Sequence, residues 1–157
     1  MDKTITNTQK YENYKEQFKR LKRALNEGFN LEAIFIEYAI LEDRTESILR
    51  HAGKWDAYIK SLKGREPAIE SKIKYIKKIS ENKKDIAHKY FSDKLLDDIH
   101  AWKEERNRLI HALLKQQLQH NEIYELAHAG NEMVNLLRNG TANYKRAIER
   151  QKAKEQQ

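Results

Sequence analysis

Apolar side chains recur every three or four residues along most of this chain, and the gaps in that rhythm predict where helices stop. Tyr11, Tyr14, Phe18, Leu21 and Leu25 keep the spacing with Lys15, Lys19, Lys22 and Arg23 between them, so a first amphipathic helix should end near Gly28. Asn30 can cap a second. Its body, from Leu31 to about Ala52, carries Leu31, Ile34, Phe35, Tyr38, Leu41, Ile48 and Leu49 on one stripe and closes at Gly53. Ile36 and Ile40 fall on another face, which predicts a central helix covered on two sides.

From Gly53 to Pro67 the pattern weakens, and Trp55, Tyr58, Ile59 and Leu62 fit one short helix. Pro67 can open the next, with Ile69, Ile73, Ile76 and Ile79 inward and the lysines outward. Ser92 caps a helix from Asp93 to about Leu118, and Asn121 caps another containing Ile123, Leu126, Met133, Val134 and Leu137. Asn139-Gly140 should break that helix, leaving a last short one and a basic, Gln-rich tail. There is no internal repeat, heptad run or linker. The expected fold is a single all-α compact helical bundle of five to six helices over residues 1–157, with flexible ends at 1–8 and about 150–157.

Composition narrows the chemistry. Five Gly and one Pro in 157 residues leave little turn or sheet punctuation, and the absence of cysteine excludes disulfides, thiolate zinc sites and a cysteine nucleophile. Residues 1–8 lack an apolar signal core, and no apolar run approaches a membrane span, so a cytoplasmic protein that makes no membrane contact is expected.

The net charge of +7 is unevenly spread. Residues 1–53 hold 9 basic and 9 acidic side chains, residues 54–89 hold 11 and 5, and residues 90–157 hold 11 and 10. The excess therefore lies in one stretch, in which Lys72, Lys74, Lys77 and Lys78 are the candidate contacts to a polyanion such as RNA. The competing reading is a solvated lysine face.

The helix from Asp93 contains Arg106-Asn107-Arg108-Leu109-Ile110-His111. Its apolar arc is drawn by Leu95, Ile99, Trp102, Leu109, Ile110 and Leu113, and Arg106 points into the middle of it. An arginine there needs a partner, a cleft or an interface, because an unpaired buried charge costs several kcal/mol. Glu42 lies within about 50° of the apolar centre of its own helix, so a Glu42–Arg106 pair is expected. That pair would be either structural or a means of orienting the guanidinium. Asn107 and His111 sit one turn apart on a neighbouring face, and Arg106 and His111 are about 140° apart. One isolated helix cannot bring them onto one small group; two copies meeting across a two-fold axis can.

Residues 106–111 resemble the motif of the HEPN superfamily, whose ribonuclease members carry Arg, a polar residue and a His separated from the Arg by four to six residues. The order of long helices, with an acid-bearing early helix and the motif late, is similar too. The resemblance implies a homodimeric, metal-independent endoribonuclease that needs no cofactor and leaves 2′,3′-cyclic phosphate and 5′-OH ends. It also implies the role of toxin beside a nucleotidyltransferase-like antitoxin. Chemistry fits the residue types: His111 can exchange protons, Arg106 offers a planar fork to phosphoryl oxygens, and Asn107 can orient either. A second pair of matching spacing, Arg44 and His51, has its Arg about 110° from the apolar centre, where an ordinary surface arginine is expected.

Two other readings compete. Glu125-x-x-His128 matches the ligand spacing of di-metal carboxylate bundles and Asp97-x-x-His100 nearly does, but Glu125, His128 and Asp97 face away from the apolar arcs of their helices, so no metal is expected. A HEPN-like module that binds nucleotide, RNA or a protein partner without turnover would use the same basic surface.

Overall fold

The computed structural model describes residues 5–156, which form six α-helices, one 3₁₀ turn and no strand. The protein is an all-α helical bundle. Residues 1–4 and 157, part of the expected flexible ends, lie outside the described residues; α1 already begins at Asn7 and the last helix runs to Glu155.

Helix α1 (Asn7–Glu27) starts with a reciprocal cap, in which Thr6 Oγ1 accepts from Gln9 N and Gln9 Oε1 accepts from Thr6 N. It stops at Gly28, whose φ of 79° is left-handed and whose N–H bonds Ala24 O. Leu21 and Ala24 are buried, whereas Tyr11 at the open end of the expected stripe is exposed.

Helix α2 (Asn30–His51) is the central element and packs against α1 and three later helices. Its buried set includes Ala33, Ile34, Ile36, Ile40, Leu41, Ile48 and Leu49, so burial on two faces holds. The stripe is rotated from its expected position, however: Leu31 and Phe35 are exposed and Ile36 and Ile40 are covered. Asn30 is the first helical residue rather than the cap, and Phe29 precedes it with no side-chain capping bond.

Helix α3 (Trp55–Ser61) is the expected short one, anchored by buried Tyr58, whose hydroxyl meets Ser71 Oγ at 2.7 Å. Helix α4 (Ile69–Ser80) begins two residues after Pro67, where Ser71 Oγ bonds both the N–H and the carbonyl of Ala68. Ile69, Ile73 and Ile76 face the core as expected. Lys72 joins them at 2% exposure, against the expectation that the lysines face out.

A 3₁₀ turn over Ile86–Lys89 leads to α5 (Asp93–Ala112), where Ser92 Oγ accepts from Leu95 N. Helix α5 stops six residues short of the expected Leu118. Helix α6 (His120–Glu155) begins after Gln119, whose N–H is capped by Glu122 Oε2, rather than at Asn121, and it continues without a break through Asn139-Gly140. At Gly140 glycine permits close packing: a Cβ would sit 3.3 Å from Tyr90 O and 3.5 Å from the Phe91 ring. No helix among the described residues is long and apolar enough to cross a membrane.

The antiparallel pair α5 and α6 is pinned by Trp102 Nε1, which donates to Leu126 O at 2.9 Å. Residues Gly28–Glu32 line one pocket with His120 and Ile123, so the start of α2 and the start of α6 lie together. The end of α5 therefore emerges beside the first turns of α2.

Candidate functional site

Arg106 projects from α5 onto α2. Its guanidinium carbon lies 4.2 Å from the Tyr38 ring centroid and 5.8 Å from that of Phe35, and Nη1 donates to Asn107 Oδ1 at 3.0 Å. The Arg106 Nε is buried with no hydrogen-bond partner. Among the described residues no carboxylate bridges Arg106, so aromatic faces hold a guanidinium whose charge no acid neutralises.

The expected Glu42–Arg106 pair does not form. Glu42 is 41% exposed and its Oε1 lies 3.7 Å from Lys72 Nζ, which also donates to the Glu42 carbonyl at 3.2 Å. The reason is register: Tyr38 is the α2 residue opposite Arg106, and Glu42 lies one turn further on, about 6 Å along the axis, where α4 supplies the cation.

The buried acid of α2 is Glu37, fully covered and without a hydrogen-bond partner, its carboxyl pushed by burial up to about 9. It faces Gly130 and the Trp102 ring: a Cβ on Gly130 would collide with both. The sequence carried a signal for this burial, since the positions three and four residues either side of Glu37 are Ala33, Ile34, Ile40 and Leu41. The corresponding neighbours of Glu42 are Tyr38, Ala39, Thr45 and Glu46.

His111 is exposed on the last turn of α5, and no hydrogen bond joins it to Arg106. Asn107 is half-buried between them in sequence and bonds only the arginine side. Arg108 is bound by Glu105 and Glu122 and is neutralised. Around the motif several large apolar side chains lie open to solvent: Leu31 and Phe35 from α2, and Leu113 and Leu114 in the turn after α5, Leu114 completely.

The four candidate lysines divide. Lys72 is structural, as described, and Lys74 and Lys77 bind Glu70 and Asp97 at 2.8 and 2.9 Å. Only Lys78 among them is exposed with no ion-pair partner among the described residues; with Lys74, Arg65 and Tyr75 it lines a cavity of about 510 Å³.

Arg44 is not the ordinary surface arginine its helix angle predicts. Its side chain is 19% exposed, bonds Asp43 Oδ2 at 2.6 Å and the Tyr14 hydroxyl at 2.8 Å, and stacks 4.4 Å over the Tyr14 ring. His51 reaches Ser47 Oγ at 3.3 Å, one turn back. Of the metal-ligand spacings, Asp97 is bound by Lys77 and the His128 ring packs 4.1 Å from Tyr124. No three His, Asp or Glu side chains converge among the described residues.

No family model, curated protein or solved structure matches this chain.

Proposed function

We propose that the chain is a metal-independent endoribonuclease of HEPN type acting on cytoplasmic RNA, with a composite site made where two copies meet around the ends of their α5 helices. The observation that carries this reading is Arg106 itself: a half-buried guanidinium, oriented by Tyr38 and Asn107, with no carboxylate partner among the described residues. A cation so held has capacity left for a phosphoryl group. The exposed Leu31, Phe35 and Leu114 beside it supply the apolar contact that a two-fold interface requires.

RNA carries its own nucleophile. One His111 accepts the 2′-hydroxyl proton as the 2′-oxygen attacks phosphorus, Arg106 stabilises the charge gathering on the phosphorane, and the bond to the 5′-oxygen breaks as a His111 imidazolium returns a proton to it. The products are a 2′,3′-cyclic phosphate and a 5′-hydroxyl. Asn107 keeps Arg106 aligned. A nucleotidyltransferase-like antitoxin covering this exposed end of the bundle belongs to the same reading.

The separation of Arg106 from His111 within one chain favours a second reading, a module that binds RNA, nucleotide or a partner without turnover. Incubating the purified protein with labelled single-stranded RNA, with and without chelator, separates the two: cleavage that survives chelation supports the nuclease, and intact RNA at high protein concentration supports the binder.

A further inference from the structure

Far from the motif, α1, α2 and α6 enclose an open cleft of about 760 Å³. His51 on its wall lies thirteen residues beyond Tyr38, about 20 Å along α2 from Arg106. Among the described residues no carboxylate lines this cleft; apart from Asn7 and His51, its polar lining is cationic and aromatic. The floor is ion-paired: Asp43, beside it, is bonded by Lys10 at 2.8 Å, by Arg44 and by the Tyr14 hydroxyl, which leaves Lys10 and Arg44 partly neutralised. The rim is different. Lys15 and Arg138 have no carboxylate partner among the described residues, and Lys145 lies 4.0 Å from Glu149, at the limit of an ion pair.

Aromatic groups alternate with these cations. The Arg138 guanidinium sits 4.6 Å over the Phe18 ring, and Tyr11 presents a ring that is 65% exposed. Burial pushes the His51 imidazole below the ordinary histidine range; the charges of Lys145, Arg44 and Lys10 act in the same direction and that of Glu149 against it. Cations that track a backbone beside an open aromatic face are the parts of a single-strand binding groove.

We propose that this cleft binds single-stranded RNA, with successive phosphates on Arg138, Lys145 and Lys15 and a base stacked on Tyr11. The choice of RNA rests on the proposed function, but binding here needs no cleavage. The polyanion surface thus lies on three helices distant in sequence rather than on the lysine run of 72–78, where only Lys78 is exposed and unpaired.

The test is fluorescence anisotropy of a labelled twelve-nucleotide RNA titrated with full-length His111→Ala protein over a range of salt. Arg138→Glu with Lys145→Glu should weaken binding at least tenfold and flatten the slope of log K against log salt by about 1.4, from two phosphate contacts at about 0.7 each. Lys15→Glu alone should act in the same direction, and Tyr11→Ala should cost about fivefold or more. Lys74→Glu with Lys78→Glu should leave affinity within about twofold. All four cleft positions are exposed, so folding is expected to survive. Unchanged affinity in the Arg138/Lys145 variant, loss in the Lys74/Lys78 variant instead, or cleft-dependent binding to phosphatidylserine vesicles with none to RNA would each overturn the proposal. Wild-type cleavage with an inert cleft removes this site and leaves the nuclease reading standing; cleft-dependent binding without cleavage does the reverse.

Discussion

Arg106 stacks on Tyr38 at 4.2 Å while Glu42, one turn along the same helix, pairs with Lys72 at 3.7 Å. The cation of the motif and the acid of α2 are thereby separated, and each has a different energetic partner. A double-mutant cycle reads this directly: Glu42→Gln should couple to Lys72→Met by about 1 kcal/mol and to Arg106→Met by close to zero. Urea unfolding of the four variants in each cycle gives the numbers, and strong coupling to Arg106 would restore the pair that helix angles alone predict.

Glu37 should make the stability depend on pH. Its folded carboxyl is raised to about 9 from the ordinary value near 4.5. Below the ordinary value both states are protonated; between the two values the unfolded chain releases the proton that the folded chain keeps. Stability should therefore fall as pH rises through that window, by up to about 1.4 kcal/mol per unit. Glu37→Gln keeps the shape and removes the titration, so its profile should be flatter and the variant more stable than wild type at pH 8 to 9. Parallel urea profiles for the two proteins would show that Glu37 is solvated or paired.

The same pocket sets a steric limit. A Cβ at position 130 would fall 2.8 Å from the Trp102 ring and closer still to the Glu37 carboxyl. Gly130→Ala gains about 1 kcal/mol of helix propensity but overpacks a covered site, which costs about 1–3 kcal/mol, so net destabilisation is expected. Thermal melting checks the sign, and a raised Tm would mean that the α2–α6 contact yields easily.

Most of the architecture was legible because helix caps and apolar spacing are local. Gly28 and Ser92 end and begin helices for reasons contained within a few residues, whereas Thr6, which caps α1, lies in a segment expected to be flexible. What escaped was decided by partners distant in the chain. Gly140 reads as a break until Tyr90 and Phe91 come to rest against it, and Lys72 reads as solvated until Glu42 receives it inside. The site divides in the same way. The motif on α5 is contiguous and could be read, but the basic cleft joins residues from 10 to 145 through tertiary packing, and the helix angle of Arg44 pointed to an ordinary surface arginine instead.

The apolar side chains around the motif give a prediction about assembly. If Leu31, Phe35 and Leu114 meet a second copy, Leu31→Glu or Leu114→Glu should convert a sedimenting dimer to monomer and abolish cleavage with little change in melting. Both positions are well exposed in the single chain, so their polar variants should fold. A wild-type protein that sediments as a monomer at high concentration, yet cleaves RNA, would remove the composite site.

The most direct measurement is the cleavage rate of labelled single-stranded RNA under excess chelator by wild type, His111→Ala and Arg106→Lys. His111→Ala removes the proton carrier from an exposed position where folding is not at stake, and a loss of about 100- to 10,000-fold is expected. Arg106→Lys keeps the charge but loses the fork, and should fall well below wild type with the same 2′,3′-cyclic phosphate ends in any residual product. Wild-type cleavage that persists in chelator and collapses in His111→Ala is the result this account predicts. A folded His111→Ala protein that cleaves at the wild-type rate would contradict it.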